Sequence, residues 1–366
     1  MLKPDCLHFR GDKPCRFKRL CDGCPHHTPF AGLTRVLIIK CRAQGDVLRT
    51  TPLLAGLRRM YRDAHVTWVT DPESVDLLAP NPAVDRVLAY DLETVVALDA
   101  QAFDVLISLD KEPGTTGLAR RVRADRKFGF GMNDFGNLTI FNESAATAYE
   151  LGVDDDLKFF KNTRSYQEIA AEAAELDYRR DEYAFVLPAA ARARAAAFWK
   201  RHRLSPKKPS VGLNTGAGSK FLTKQWPAGH YVKLIRLLLA KLKANVFLLG
   251  GQRERALNEG LVRKFPGRVF NTGPDNTLLE FAGHIDRLDL VVTSDTLGMH
   301  LAIALKKKVV ALFGPTSPQE IDLYGRGVKI FLAESCAPCY RQTCEDGRCM
   351  RAITSELVFG EVRKLL

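Results

Sequence analysis

Arg35-Val36-Leu37-Ile38-Ile39-Lys40, then Cys41-Arg42-Ala43-Gln44-Gly45, then Asp46-Val47-Leu48-Arg49-Thr50-Thr51-Pro52 is the stretch from which the fold is read. The first segment is a short apolar run, the pattern of a strand buried on both faces. Gly45 allows a tight turn at its end. A helix is expected from Asp46 to about Tyr61, with Leu53, Leu54 and Leu57 at helical spacing. Arg58, Arg59 and Arg62 close it where the helix dipole favours cations.

Similar units follow on both sides of a helical, alanine-rich middle. Strands are expected at 66–70, 86–89, 104–109 and 127–131, with short helices at 72–79 and 115–122. The stretch 154–209 reads as helical and ends in Ser205-Pro206-Lys207-Lys208-Pro209, a linker signal. Strands then recur at 210–214, 245–249, 268–271, 290–293 and 308–313, with helices at about 227–243, 252–264, 277–286 and 296–305. A last helix over 354–366 would be capped by Thr354 or Ser355. The division expected is a Cys-rich extension (1–34), two α/β halves (35–205 and 206–350) and a C-terminal helix (351–366). Alternation of this kind implies parallel sheets with covered faces. Ligands of such sheets bind beyond the carboxyl ends of the strands, in a cleft.

The composition fits that architecture. The chain has 366 residues, 46% apolar and 26% charged, enough for about two or three domains and a core that needs no disulfide staples. No apolar run reaches the length of a membrane span, and Met1 to Cys6 lacks the apolar region of a secretory signal, so a cytoplasmic location is expected. The 54 Lys and Arg against 42 Asp and Glu give a net charge of +12. Such a surface attracts anions: nucleic acid, anionic lipid or phosphorylated sugar. No zinc-finger spacing with paired histidines and no RNA-binding signature is present, so nucleic acid is disfavoured.

Eight of the nine cysteines fall into two groups, Cys6, Cys15, Cys21, Cys24 and Cys336, Cys339, Cys344, Cys349, with Cys41 apart. Each group holds one C-x-x-C pair, a spacing that lets two thiolates reach one tetrahedral ion. Structural zinc and an iron–sulfur cluster both fit, and so do plain reduced thiols. His8, His26 and His27 lie close enough to the first group to substitute as ligands.

Three loops at strand ends carry residues suited to chemistry. Asp46 follows the first strand; a helix cap is the plain reading, and a base facing the cleft the functional one. Asn214-Thr215-Gly216-Ala217-Gly218-Ser219-Lys220, then Lys224-Gln225-Trp226-Pro227, suits a phosphate or diphosphate. Two glycines let backbone N–H groups approach an anion there, Ser219 adds a hydroxyl and Lys224 a charge. The P-loop spacing is absent. Thr293-Ser294-Asp295-Thr296-Leu297-Gly298-Met299-His300 runs from a strand into a helix start, an anion site by its free N–H groups. Asp295 there reads as a cap or a ligand for sugar hydroxyls, and His300 as a packed residue or an acid–base group. Glu254, after Gly250-Gly251, reads as a first-turn glutamate or a ribose ligand.

Taken in order, these motifs resemble those of the family 9 glycosyltransferases, the lipopolysaccharide heptosyltransferases. The resemblance runs from about residue 35 to 366. It rests on Gly45-Asp46-Val47 with Thr50-Thr51-Pro52, Asn214-Thr215-Gly216-Ala217 with Lys224-Gln225-Trp226-Pro227, Ser294-Asp295-Thr296 through Met299-His300-Leu301-Ala302, Ala311-Leu312-Phe313-Gly314-Pro315-Thr316, and the late cysteines ending Cys349-Met350. It implies a GT-B fold: two Rossmann-like domains facing a central cleft, the acceptor held by the first and the nucleotide sugar by the second. It also implies inversion without a catalytic metal, so no cofactor is required for catalysis. Asp46 would be the general base and Lys224 would neutralise the diphosphate leaving group. Gly216, Gly218, Ser219, Asp295, Thr296, Gly298 and His300 would line the donor site, with Glu254 and Asn276 near adenosine. The donor expected is ADP-heptose and the acceptor an anionic glycolipid, met by transient contact with the inner membrane. The family's Asp-Thr-Gly is interrupted here by Leu297, and residues 1–34 lie outside its pattern. A relative using another nucleotide sugar or acceptor, and a non-catalytic GT-B-like binding protein, are the alternatives. The presence of both Asp46 and Lys224 favours an enzyme.

Overall fold

The computed structural model describes residues 1–218 and 220–366 and contains two six-stranded sheets. In the first, β1 (Thr34–Ile39) lies between β2 (Ala64–Thr70) and β4 (Ala102–Ser108), with Val36 beside both Val66 and Val105. β3 (Arg86–Ala89), β5 (Arg123–Met132) and β6 (Leu138–Ile140) complete the order β3-β2-β1-β4-β5-β6, and only β6 is antiparallel. Val36 to Ile39 are all buried, as expected of a strand covered on both faces.

The second sheet comprises β7 (Ser210–Asn214), β8 (Asn245–Leu249), β9 (Val269–Asn271), β10 (Leu290–Ser294), β11 (Lys308–Phe313) and β12 (Gly327–Phe331). Its order is β12-β11-β10-β7-β8-β9, parallel throughout. In both sheets the strand order reverses direction beside the first strand, which opens a crevice at the carboxyl ends there.

Some expectations are corrected. The helix foreseen over 46–61 is two helices, Gln44–Thr50 and Leu53–Met60. Pro52 has no N–H to continue the first, so the chain restarts there. The first also begins two residues before Asp46, which therefore sits inside the first turn rather than at the cap. The Leu92–Asp99 helix was not foreseen, although Asp91 caps it by accepting the Thr94 N–H at 2.8 Å. β6 and β12 were also missed; one is three residues long and neither is wholly buried.

The two sheets share an apolar core. A single buried cluster runs from Val36 and Leu54 through Tyr183 and Leu187 to Phe247 and Met299. Helix Ala189–Arg201, which precedes the Ser205–Pro209 stretch, lies along helix Leu278–Asp286 of the second half. Arg192 pairs with Asp286 at 3.1 Å, and Arg194 pairs with Glu280. The C-terminal helix Ser355–Leu365, capped by Thr354, packs on helix Ala228–Leu237, where the Ser355 hydroxyl donates to His230 O at 2.9 Å. Among the described residues no helix is long and apolar enough to cross a membrane.

The contact between Ala189–Arg201 and Leu278–Asp286 is close enough to test. A Cβ on Gly283 would lie 2.6 Å from the carbonyl oxygen of Ala191. Gly283→Ala is therefore expected to lower stability by about 1–3 kcal/mol through overpacking, outweighing the ~1 kcal/mol that alanine adds to helix propensity. Gly229→Ala, in a helix with nothing within 4 Å of the new methyl, should leave stability unchanged or raised. Urea midpoints of the two variants check both.

Candidate functional site

The crevice is built where β1, β7 and β10 end. On the first-half side, the loop after β1 is anchored from below. Lys40 is buried and pairs with Asp110 at 2.5 Å, and the same carboxylate accepts the Cys41 N–H. This holds the chain that turns into helix Gln44–Thr50. In the first turn of that helix the Asp46 carboxylate accepts the Ala43 N–H at 3.2 Å and lies 2.9 Å from Arg49 Nε, one turn on. The Asp46 side chain keeps 36% of its surface exposed, so a substrate can reach it.

Arg49 is the hub behind it. Its guanidinium also meets Glu320 of the second half at 3.3 Å and lies 3.9 Å over the ring of Tyr166. The Tyr166 hydroxyl bonds Thr50 Oγ1 at 2.8 Å. Burial alone would raise the pKa of Asp46. The charges of Arg49 and Lys40, the neighbouring His300 and the Ala43 N–H more than offset it and hold the carboxyl at about 2. Asp46 is thus ionised across any working pH.

On the second-half side, Lys224 reaches over the start of helix Leu297–Ala304. Its ammonium donates to the Asp295 carbonyl at 2.5 Å and lies 3.6 Å from the Asp295 carboxylate. The Ser294 hydroxyl donates to Lys224 O at 2.7 Å, locking the two loops together. Thr296 stands at the N-cap position, and the amide of Asn214 at the end of β7 donates to Thr293 Oγ1 at 3.0 Å and Thr296 Oγ1 at 2.9 Å. Gly298 is needed for this approach: a Cβ there would lie 2.7 Å from Asn214 Nδ2. Gly218 adopts φ +75°, a left-handed turn suited to glycine. A Cβ on Gly216 would meet the Glu254 carboxyl at 3.3 Å. Glu254 itself accepts the Gly251 N–H at 2.9 Å, and Asn276 braces its own loop on Thr272 O and Gly273 O. Ser219, assigned a phosphate contact from the sequence, lies outside the described residues.

His300 joins the two sides. It is buried, its Nδ1 sits 3.1 Å from the Tyr183 hydroxyl, and its ring packs on Gly45. Burial lowers its pKa to about 4; the charge of Arg49 adds to this, Asp295 and Asp46 oppose it, and Lys224 adds to it again. One neutral imidazole therefore lies within the field of Asp46 and Arg49 from one half and of Asp295 and Lys224 from the other. Arg49, Tyr166, Tyr183 and Glu320 were not singled out from the sequence. The spacing of three residues between Asp46 and Arg49 could have flagged the arginine. The others meet it only through tertiary contacts.

The late cysteine group lies beside the donor side of this crevice. Cys349 is buried, Cys336 and Cys344 are exposed, and Cys344 Sγ accepts the Gly347 N–H at 3.3 Å. The loop they occupy adjoins the donor-side loop, since the Thr223 hydroxyl donates to Arg341 O at 2.7 Å and Tyr340 meets Phe221 edge-on. Among the described residues, no three His, Cys, Asp or Glu side chains converge on a shell for a single metal ion.

Comparison with known proteins places the chain in a family. The profile of glycosyltransferase family 9 (heptosyltransferase) matches residues 93–349, a span that begins after Asp46. Lipooligosaccharide heptosyltransferase 2 of Campylobacter jejuni is 29% identical over 164 residues, 43% of this chain and 52% of that protein. In that match this chain spans about half the length of the relative. Lipopolysaccharide heptosyltransferase 1 of Pseudomonas aeruginosa is 24% identical over 347 residues, 85% of this chain and 87% of that protein. A family 9 glycosyl transferase from Veillonella parvula superposes with a TM-score of 0.71 at 20% identity, covering 91% of this chain and 97% of that one. The fold is α/β of the GT-B type, two Rossmann-like halves across a crevice, and the chain belongs to glycosyltransferase family 9.

Proposed function

We propose that this chain is an inverting glycosyltransferase that moves a heptose from ADP-heptose to an anionic lipopolysaccharide inner-core acceptor. The heptosyltransferase names of its relatives support the sugar and acceptor class. The observation that carries the mechanism is that Gly45, beside Asp46 in the first half, packs on the ring of His300, while Lys224 of the second half is held at Asp295, just ahead of the helix that carries His300.

In this reading Asp46 takes the proton of the acceptor hydroxyl. A carboxylate held at a pKa of about 2 is a weak base in the ground state. It becomes adequate as the anomeric carbon gains positive character and the attacking hydroxyl grows acidic. Arg49 holds the carboxylate in place by its 2.9 Å ion pair. On the donor side the Lys224 ammonium and the N-terminus of helix Leu297–Ala304 offer positive charge to the departing diphosphate. A bound diphosphate would displace the Asp295 carboxylate from Lys224 and leave it for sugar hydroxyls. Charge stabilisation by Lys224 and the helix dipole is the role a divalent cation would otherwise have, so the reaction is proposed to need none. Gly216, Gly218, Ser219, Glu254 and Asn276 are proposed to follow the nucleotide. The net charge of +12 suits transient docking on the anionic cytoplasmic face of the inner membrane.

Each role has its own test. Asp46→Asn is expected to lower kcat by about 10²–10⁴-fold with ADP affinity within a few-fold of wild type; turnover at the wild-type rate would remove it as the base. Lys224→Met is expected to weaken ADP binding and to lower kcat by about 10²–10³-fold, measured by calorimetry and steady-state kinetics. Because Asp46 is ionised far below neutrality, the pH–rate profile of the wild-type chain should show no acid limb in the usual carboxylate range. Arg49→Met removes the nearest compensating charge, so its acid limb should move up by about 1–3 pH units. A calorimetric panel of ADP, UDP and GDP checks the donor class, and preference for UDP or GDP would redirect the donor assignment.

A further inference from the structure

The segment ahead of β1 poses a problem that apolar burial does not solve. Of residues 1–33, Cys6 alone is buried, while Leu2 and Leu20 are 66% and 84% exposed. Its regular pairing is a single bridge, Cys6 to Pro29, with Leu7 N–H bonding Thr28 O and Phe30 N–H bonding Asp5 O. A piece of this size with almost no core needs a covalent or metal staple. All its cysteines are free thiols.

The four cysteines share one cavity. Cys6, Cys15, Cys21 and Cys24 all line one cavity of about 320 Å³. Each of the four also opens a tight turn, its carbonyl accepting the N–H three residues on: Phe9 to Cys6, Lys18 to Cys15, Cys24 to Cys21 and His27 to Cys24. His8, His26 and His27 line the same cavity; His26 stacks on Phe17 at 3.9 Å, His8 meets the same ring edge-on, and His27 lies 3.5 Å from Asp5. The cavity wall also carries Lys3, Arg10, Lys13, Lys18 and Arg19, a positive surround for an anionic tetrathiolate centre.

We infer that Cys6, Cys15, Cys21 and Cys24 are the ligands of an iron–sulfur cluster that holds residues 1–33 together. A single zinc ion draws four sulfurs into contact around one point, with bonds of ~2.3 Å. Four cysteines that line one cavity, with no three ligands converging on a single-ion shell among the described residues, match a polynuclear centre, which fills the space between them. The site lies at the amino end of β1, where Phe30 packs edge-on against His65. The crevice lies at the other end of that strand, about 20 Å away at ~3.3 Å per residue. The cluster is thus structural, and the inference stands apart from the transferase reading.

The full chain purified without oxygen is expected to carry on the order of four iron and four acid-labile sulfide. Its iron X-ray absorption should show an all-sulfur first shell with an iron–iron distance beyond it. A Cys336→Ser/Cys339→Ser chain should keep this iron, and a Cys21→Ser/Cys24→Ser chain should lose it. Keeping the iron in the first variant places the cluster even if the second fails to fold. Stoichiometric zinc in place of iron would overturn the assignment. So would iron that leaves with Cys336 and Cys339. A chain that holds no metal after anaerobic supply of ferrous iron and sulfide, or one with the four cysteines in two disulfides, would do the same.

Discussion

The crevice depends on one close approach, that of Gly45 to the ring of His300. A Cβ at position 45 would lie 2.6 Å from His300 Cδ2, nearer than any side chain can sit. Helix Gln44–Thr50 of the first half and helix Leu297–Ala304 of the second meet there, and from Gly298 on the second is buried to its last residue. With the two helices in contact, the carboxyl ends of β1 and β10 are brought to one place. Asp46 on one helix and the Lys224–Asp295 pair beside the other then share a common electrostatic environment.

That environment explains the ionisation of the groups in it. Burial would leave Asp46 protonated more readily and Arg49 less charged, but each compensates the other across 2.9 Å. His300, buried and facing arginine and lysine, stays neutral and contributes packing and one hydrogen bond with Tyr183. The crevice therefore keeps a fixed anion on one wall and a fixed cation on the other without a mobile proton between them. Glu320 and Tyr166 extend this by tying Arg49 to both halves; Tyr166 N–H also bonds Glu320 O at 3.0 Å.

Several site residues are held by bonds that serve the fold. Glu254 caps a turn, Asn276 braces a loop and Asn214 clamps the helix start through Thr293 and Thr296. Gly298, one place later than the family's Asp-Thr-Gly pattern, has its own reason in the space that Asn214 occupies. The displaced glycine thus follows from the packing of helix on strand.

The sequence by itself determined the alternating units, the buried character of β1, and the loops that carry Asp46, Lys224 and Asp295. Those features are local: burial on both faces, turn residues and helix periodicity are written in neighbouring positions. Pro52 and Asp91 act just as locally, through a missing N–H and a side-chain acceptor, yet the break at the one and the helix capped by the other went unread in the sequence. The tertiary structure alone decided what surrounds the site. Glu320 is 271 residues from Arg49, and Tyr183 is 117 from His300. No local pattern encodes such pairings, because they exist only once two separately patterned sheets have packed against each other and set which loops face the same gap.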